Sequence, residues 1–326
     1  CIRDSLKSGL VAISKATGAT FWEWNKGSSL FFWRFPDHYQ EVARVGIAPM
    51  FDSEPPCNNH RQEPIKDVCI KEKVKEKVMK VLEKGYIELV DLELVEAFMH
   101  FFQVPKGEDD IRMVYDGTKS GLNESIWSPW FALPTAESMV RWVVAGSWLA
   151  DNDLGDCFLN FPLHPDLQNY CGIDLSSLLP EIKEGDRCGV FAKWLVNAMG
   201  LRSSPFCSVQ GCTVAKYEVL GDPKDPSNPF AWDRIQLNLP ASNNYDATMP
   251  WIMKVKKDGE LAAAVAGYVD DFRIVAGDED AAWDCSSRFA KKLCWLGMQD
   301  AARKRRRPSK RPGAWAGATV QSDGVT

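Results

Sequence analysis

The sequence predicts an α+β protein, in which antiparallel strands joined by hairpin turns are accompanied by separate helices. Two kinds of pattern lead to this prediction. Helical signals mark three stretches, residues 64–84, 205–219 and 284–296. Short apolar stretches on either side of polar turns predict two hairpins, at residues 100–116 and 262–276. Strands paired through hairpins form antiparallel sheets, which helices can cover on one face.

The ends of the three helices follow from local signals. Gly85 lies just past the first helix, where glycine commonly ends a helix. Ser203 or Ser204 is the expected N-cap of the second helix, and Pro205 suits its first position. Gly297 is expected to follow the third helix.

Turn residues predict where the strands end. In the first hairpin, the polar residues 107–110 separate the two strands. In the second, residues 268–271 form the tip, and Lys-Asp-Gly at 257–259 predicts an earlier tight turn. Residues 221–250 are rich in proline, aspartate and asparagine, and are expected to form a surface insertion.

The composition is that of a globular protein. The chain has 326 residues, of which 45% are hydrophobic and 25% charged. No apolar run approaches the roughly 18 residues that span a bilayer, so no membrane partner is expected. The ten cysteines include no CxxC pair, and Cys1 does not open a signal-peptide pattern. We therefore expect reduced thiols and an intracellular protein, cytoplasmic or nuclear, whose oligomeric state the sequence does not predict.

The charge is unevenly distributed along the chain. The net charge of −5 argues against a protein that coats nucleic acid. Lysines are nevertheless crowded between Lys66 and Lys84, where they are expected to form a solvated helix face. A second basic run extends from Arg303 to Arg311. This run is expected either to contact nucleic-acid phosphates or to form a flexible or nuclear-targeting tail.

Three carboxylates follow an apolar stretch at Asp151, Asp153 and Asp156. Grouped carboxylates repel one another and lose hydration, which costs free energy unless a cation compensates. Mg²⁺ suits such a site because it prefers hard oxygen ligands. Taken alone, the same residues are better explained by an acidic loop that caps the next helix.

A second acidic pair, Asp270 and Asp271, lies at the predicted hairpin tip. An isolated Asp-Asp turn is usually only a turn. Combined with a strand-end aspartate, however, the pair could hold two metal ions roughly 4 Å apart. Two such ions catalyse in-line displacement at phosphorus, because one activates the attacking oxygen and the other stabilises the leaving oxygen.

These acidic segments resemble two motifs of the reverse transcriptases of retroviruses and retrotransposons. Residues 153–158 with 161–166 resemble motif A, and Tyr268-Val269-Asp270-Asp271 resembles motif C. Further similar segments, in the family's order, are 84–87, the fingers hairpin at 104–106 and 111–116, motif B at 200–206, motif D at 296–297 with Lys304, and the primer grip at 315–317. The resemblance thus covers about residues 84 to 317.

The resemblance implies a set of catalytic residues. Asp153, Asp270 and Asp271 would bind two Mg²⁺ ions, with Mn²⁺ as an alternative, and the Leu154 carbonyl would be a further ligand. Lys304 would be the general acid for pyrophosphate departure. Arginines crowd Lys304 on both sides, which makes contact with phosphates the alternative role.

The resemblance also implies nucleotide contacts by six residues: Lys106, Arg112, Asp156, Phe158, Met199 and Gly200. Phe158 would exclude a 2′-hydroxyl and so favour deoxynucleotides; its alternative is a core aromatic. Gly200 would allow close approach of the nucleotide; its alternative is a turn glycine. Met199 stands where many relatives carry another residue, which weakens the assignment of its role.

The implied organisation is that of polymerase fingers and palm, an antiparallel palm sheet backed by helices. An N-terminal extension covers residues 1–63, and a truncated tail covers 318–326. The fingers and palm cover 64–317, with fingers at about 64–125 and 162–199 and palm at about 126–161 and 200–317.

The implied function is RNA-directed DNA polymerisation. The partners would be an RNA or DNA template, a primer and deoxynucleoside triphosphates. No thumb or ribonuclease H domain is visible in the sequence, so poor processivity is expected. An RNA-dependent RNA polymerase and a non-catalytic, nucleic-acid-binding remnant are the two alternatives.

Overall fold

A computed structural model describes residues 45–131, 133, 143–182, 188–228, 230–295, 298–317 and 319–322. The chain divides into two compact units. The first unit contains the described residues up to Trp130 together with Phe158–Gly211, and the second contains Phe131–Cys157 and the described residues from Cys212 onward. The predicted extension lies outside the described residues up to position 44, and the limits of fingers and palm remain a prediction.

The described residues combine helices with short strands, as the sequence predicts. The helices are α1 Val68–Glu83, α2 Leu122–Ser125, α3 Pro165–Gln168, α4 Ser204–Leu220 and α5 Glu279–Trp295. The strands are β1 Ile87–Val90, β2 His100–Lys106, β3 Asp110–Asp116, β4 Trp148–Asp153, β5 Gly172–Asp174, β6 Phe191–Trp194, β7 Arg234–Leu237, β8 Ile252–Val255, β9 Ala264–Tyr268 and β10 Asp271–Ala276. Every ladder between these strands is antiparallel, which makes the fold α+β.

The first unit contains a three-stranded sheet of order β1-β6-β5 and the separate hairpin β2–β3. Helix α1 begins after Asp67, whose carboxylate accepts a hydrogen bond of 2.9 Å from the Ile70 N–H, and it buries Val74 and Val78. The ring of Tyr115 in β3 packs edge-on against Trp194 in β6, with centroids 4.7 Å apart. This contact joins the hairpin to the sheet.

The second unit is built on a sheet of order β4-β10-β9. Helix α5 covers one face of this sheet. Phe272 contacts Phe289 of the helix with ring centroids 4.7 Å apart, and the Ser286 hydroxyl donates to Asn152 of β4 at 2.8 Å. The side chains of Asp151 and Asp153 alternate with that of Asn152 along β4, so they lie on the face opposite the helix.

Most predicted elements are confirmed, with differences at their ends. The first helix begins at Val68, because Asp67 supplies the cap. The third helix begins earlier than predicted, at Glu279, and the expected stop at Gly297 lies outside the described residues. The insertion at 221–250 contains a strand, β7, which pairs with β8; all four of its residues are exposed. Among the described residues, no helix is both long and apolar enough to cross a membrane.

Candidate active site

The ladder between β4 and β10 brings together two of the predicted metal-binding aspartates. Asp153 at the end of β4 stands directly opposite Asp271 at the start of β10, and Asp151 stands opposite Arg273. Directly paired residues present their side chains on the same face of a sheet. This face is the one that α5 leaves uncovered, so the register alone collects three carboxylates and one guanidinium there.

Asp270 is positioned by the tight turn between β9 and β10. Tyr268 and Asp271 pair across this turn, and the Asp270 carbonyl accepts a hydrogen bond of 3.0 Å from the Leu154 N–H. Val269, which precedes Asp270 in this turn, has a φ of 53°. A β-branched residue in the left-handed region is strained, and such strain is found preferentially at functional sites.

The electrostatics of the cluster are those of carboxylates held close together. Burial, together with the charges of Asp270 and Asp153, raises the pKa of Asp271 to about 6. Burial also raises the pKa of Asp270, with a smaller contribution from Asp153. A nearby cation would favour the ionised forms of both groups.

Lys304 supplies one such positive charge. Its ammonium group forms an ion pair with the Asp153 carboxylate, whose side chain is nearly buried. The hydrogen bond to Asp153 raises the pKa of Lys304, and the charges of all three aspartates add to this effect. The predicted catalytic residues Asp153, Asp270, Asp271 and Lys304 are therefore brought together within the second unit.

The donor chemistry of the cluster suits a hard divalent cation, since carboxylate oxygens are the preferred ligands of Mg²⁺. The geometry of a formed metal centre is not present. Within the described part of the chain, no three acidic, histidine or cysteine side chains are arranged as ligands of one ion. Leu154, the predicted carbonyl ligand, is buried and pairs with Asp300 through an isolated bridge.

Arg273 is a buried cation that the sequence analysis did not identify. Its side chain is 1% exposed and binds both carboxylate oxygens of Asp151, at 2.7 and 3.0 Å. It also donates to the carbonyls of Val320 and Gly313, each at 3.2 Å, and lies over the ring of Trp315. The signal in the sequence was a single charge within the otherwise apolar strand that follows Asp271.

The basic segment, residues 303–311, is held against β4. Ser309 exchanges two backbone hydrogen bonds with Leu149, at 2.9 and 3.0 Å, and the Ala301 N–H donates to the Asp153 carbonyl at 2.9 Å. The interpretation of these residues as a flexible tail is therefore wrong. Four of their arginines, Arg303, Arg306, Arg307 and Arg311, line a cavity of about 480 Å³ whose wall includes Asp153 and Asp271.

Of the six residues predicted to contact the nucleotide, four lie in two neighbouring features of the first unit. Lys106 and Arg112 belong to the hairpin β2–β3, and Met199 and Gly200 belong to the loop at 199–202. Lys106 and Arg112 lie on the same exposed face of the hairpin β2–β3, given the pairing of Arg112 with Val104. Met199 is 46% exposed. Gly200 has a φ of 105°, and a Cβ atom there would lie 1.8 Å from the Tyr115 carbonyl oxygen. Gly200 thus approaches the hairpin backbone closely, and its approach to a nucleotide remains a prediction.

The two remaining residues are close in the sequence but belong to different units. Phe158, in the first unit, is half-buried in the 3₁₀ turn Cys157–Asn160. Asp156, in the second unit, is exposed and has a φ of 49°. Their roles toward a nucleotide remain predictions. Leu296 and Gly297, which carry part of the motif D resemblance, lie outside the described residues.

Comparison with known proteins adds no assignment. A scan against protein-family models gave no match, and a search of curated proteins gave no match either.

Proposed function

We propose that the protein is an RNA-directed DNA polymerase of a retroelement, with the arrangement of polymerase fingers and palm. The observation that carries this proposal is the β4–β10 register, which sets Asp153 opposite Asp271 beside the strained turn that holds Asp270. The same three residues are the ones that the resemblance to reverse transcriptases assigns to metal binding. Asp153 and Asp271 are far apart in the sequence and yet lie side by side, which supports that assignment.

Asp153, Asp270 and Asp271 are the residues that would hold two Mg²⁺ ions, or Mn²⁺ in their place. Bound there, the ions would supply Lewis acidity toward the primer 3′-hydroxyl and the leaving pyrophosphate. The raised pKa values of Asp270 and Asp271 support a site that favours a cation, because a bound cation would stabilise both carboxylates once their protons are released to water.

Lys304 would donate a proton to the departing pyrophosphate. Its ammonium group carries a proton at neutral pH, which a general acid requires. The raised pKa strengthens its hold on that proton, so donation depends on the negative charge that develops on the pyrophosphate. The ion pair with Asp153 keeps this donor beside the carboxylates. Lys106 and Arg112 would bind the triphosphate, and Phe158 would select deoxyribose by the bulk of its ring.

Primer extension on an RNA template tests the proposal. The full chain is supplied with a labelled DNA primer, Mg²⁺ and either deoxynucleotides or ribonucleotides. We expect extension with deoxynucleotides and a loss of about 100-fold or more in Asp270→Asn, because a metal ligand is removed. Asp258→Asn, at an exposed turn of the same unit, is the matched control and should retain activity.

Equal activity of Asp270→Asn and the wild type would overturn the assignment of the site. A preference for ribonucleotides would instead favour an RNA-dependent RNA polymerase. If no extension occurs, Mg²⁺ titration by calorimetry separates an inactive polymerase from a non-catalytic binding protein. The proposal then requires Mg²⁺ binding that Asp270→Asn abolishes.

A further inference from the structure

The basic segment carries more positive charge than its surroundings neutralise. Three of the neighbouring carboxylates are already paired: Asp151 with Arg273, Asp153 with Lys304 and Asp300 with Arg305. Asp270 and Asp271 add at most two negative charges, against the three positive charges of Arg303, Arg306 and Arg307. Arg303 and Arg306 are exposed, and neither forms an ion pair with any described residue. Both line the cavity at Asp153 and Asp271. The surplus charge therefore faces the space beside the carboxylates.

A third arginine is fixed in place without being neutralised. The guanidinium of Arg307 lies 4.7 Å from the ring centroid of Trp283 on helix α5. Contact with an aromatic face orients a guanidinium but leaves its positive charge uncompensated. The backbone of the segment is fixed as well, by the β-bridge between Ser309 and Leu149. The cations are thus presented from a fixed backbone.

The length of the segment favours a chain of phosphates over a single nucleotide. The bridges from Leu149 to Ser309 and from Leu154 to Asp300 lie on either side of most of the basic segment, and they are five residues apart along β4 and the residue that follows it. At a rise of about 3.3 Å per residue, this distance is roughly 17 Å. Charges of one nucleic-acid strand are spaced about 3.4 Å apart along the helix axis, so this distance corresponds to about five intervals, or about six phosphates. Three phosphates at that spacing would span only about 7 Å.

We infer that the basic segment binds the phosphodiester backbone of one nucleic-acid strand and directs the end of that strand toward Asp153 and Asp271. The inference deepens the proposed function and rests on it for the identity of the site. Arg303, Arg306 and Arg307 contact successive phosphates. Because phosphate contacts carry no base information, binding is independent of sequence and weakens steeply with salt.

Fluorescence anisotropy with labelled 12-nucleotide oligodeoxythymidine and oligouridine tests this inference. Binding to the full chain is measured between 50 and 500 mM salt in EDTA. The double variant Arg303→Gln/Arg306→Gln should reduce the slope of log K against log salt by about 1.4, since each single-strand contact contributes about 0.7. The affinity should fall about 20-fold at 0.1 M salt.

Two controls separate this effect from a general loss of charge or of folding. Arg234→Gln/Lys257→Gln removes two exposed cations elsewhere in the second unit and should bind as the wild type does. Arg303→Lys/Arg306→Lys keeps both charges and should retain the wild-type slope. Thermal unfolding of each variant checks that the fold is intact.

An unchanged slope in Arg303→Gln/Arg306→Gln would overturn the inference, as would equal weakening in the Arg234→Gln/Lys257→Gln control. Displacement of the oligonucleotide by deoxythymidine triphosphate at an equal phosphate concentration would identify a mononucleotide site and overturn it as well. Measurement in an Asp270→Asn background separates the two proposals. Salt-dependent oligonucleotide binding by both the wild type and Asp270→Asn, with neither extension nor Mg²⁺ binding in the wild type, would contradict the proposed function alone.

Discussion

The side chain of Arg273 is only 1% exposed, and it forms an ion pair with Asp151 across the β4–β10 ladder. The sequence pointed to Asp153, Asp270 and Asp271 because acidic residues at strand ends and turn tips are conspicuous. It did not point to the Arg273–Asp151 pair. Each charge viewed singly fits an exposed strand position, and only the register shows that the two meet.

Arg273→Met is expected to destabilise the protein by about 3 kcal/mol, because Asp151 is left without its cation and two carbonyls lose their donor. Urea denaturation measures the change. Adding Asp151→Asn to Arg273→Met should restore part of the loss, since the uncompensated carboxylate is removed. A loss below about 1 kcal/mol in Arg273→Met would show that the pair contributes little.

Individual elements were predictable where their signals are local. Helix α4 begins at Ser204, next to Pro205, and the hairpin β2–β3 turns at residues 107–109, as the turn chemistry predicts. The basic segment was not predictable, because its partner is β4. Its backbone hydrogen bonds connect residues far apart in the sequence, and no local pattern of arginines indicates them.

The loop that contains Gly200 provides a prediction at this scale. Gly200→Ala should destabilise the first unit by more than about 2 kcal/mol, because a Cβ atom would lie 1.8 Å from the Tyr115 carbonyl oxygen and φ is 105°. Gly107→Ala is the matched control: its φ is also positive, at 69°, but no atom lies within 4 Å of the new methyl group. The control should cost only about 1 kcal/mol.

Thermal and urea unfolding of the two variants measure the difference. Equal destabilisation of Gly200→Ala and Gly107→Ala would mean that the positive φ alone, and not the contact with Tyr115, requires glycine at position 200. It would also show that the loop can move away from the hairpin at little cost.

For the molecule as a whole, the α+β class could be predicted, but the order of strands could not. The sheet β4-β10-β9 pairs a strand near the middle of the chain with one that follows the 221–250 insertion. Hydrophobic patterns identify each strand but do not specify its neighbour. The division into two compact units, with Phe131–Cys157 joined to the C-terminal part, likewise depends on pairing between distant residues.

Cysteine labelling tests this arrangement across both units. Among the described cysteines, Cys57, Cys69, Cys188 and Cys294 are exposed, whereas Cys157, Cys171, Cys212 and Cys285 are buried. We expect N-ethylmaleimide to label the exposed group in the native protein and the buried group only after unfolding, as read by mass spectrometry. Burial also raises the pKa of Cys171 to about 12, which suppresses its reactive thiolate. Rapid native labelling of Cys171 would contradict the described core.

Because the ladder between β4 and β10 aligns the carboxylates, changes in chain length should be tolerated in the 221–250 insertion but not within these two strands. Residues gained or lost within the exposed turns of 221–250 leave the opposition of Asp153 and Asp271 intact, because the ladder and not the connecting chain aligns them. A single residue inserted directly after Asp271 would move the Arg273 side chain to the face of the sheet that the helix covers and the Phe272 side chain to the opposite face. Length variation in this protein is therefore expected to concentrate in the insertion, while both strands keep a fixed number of residues.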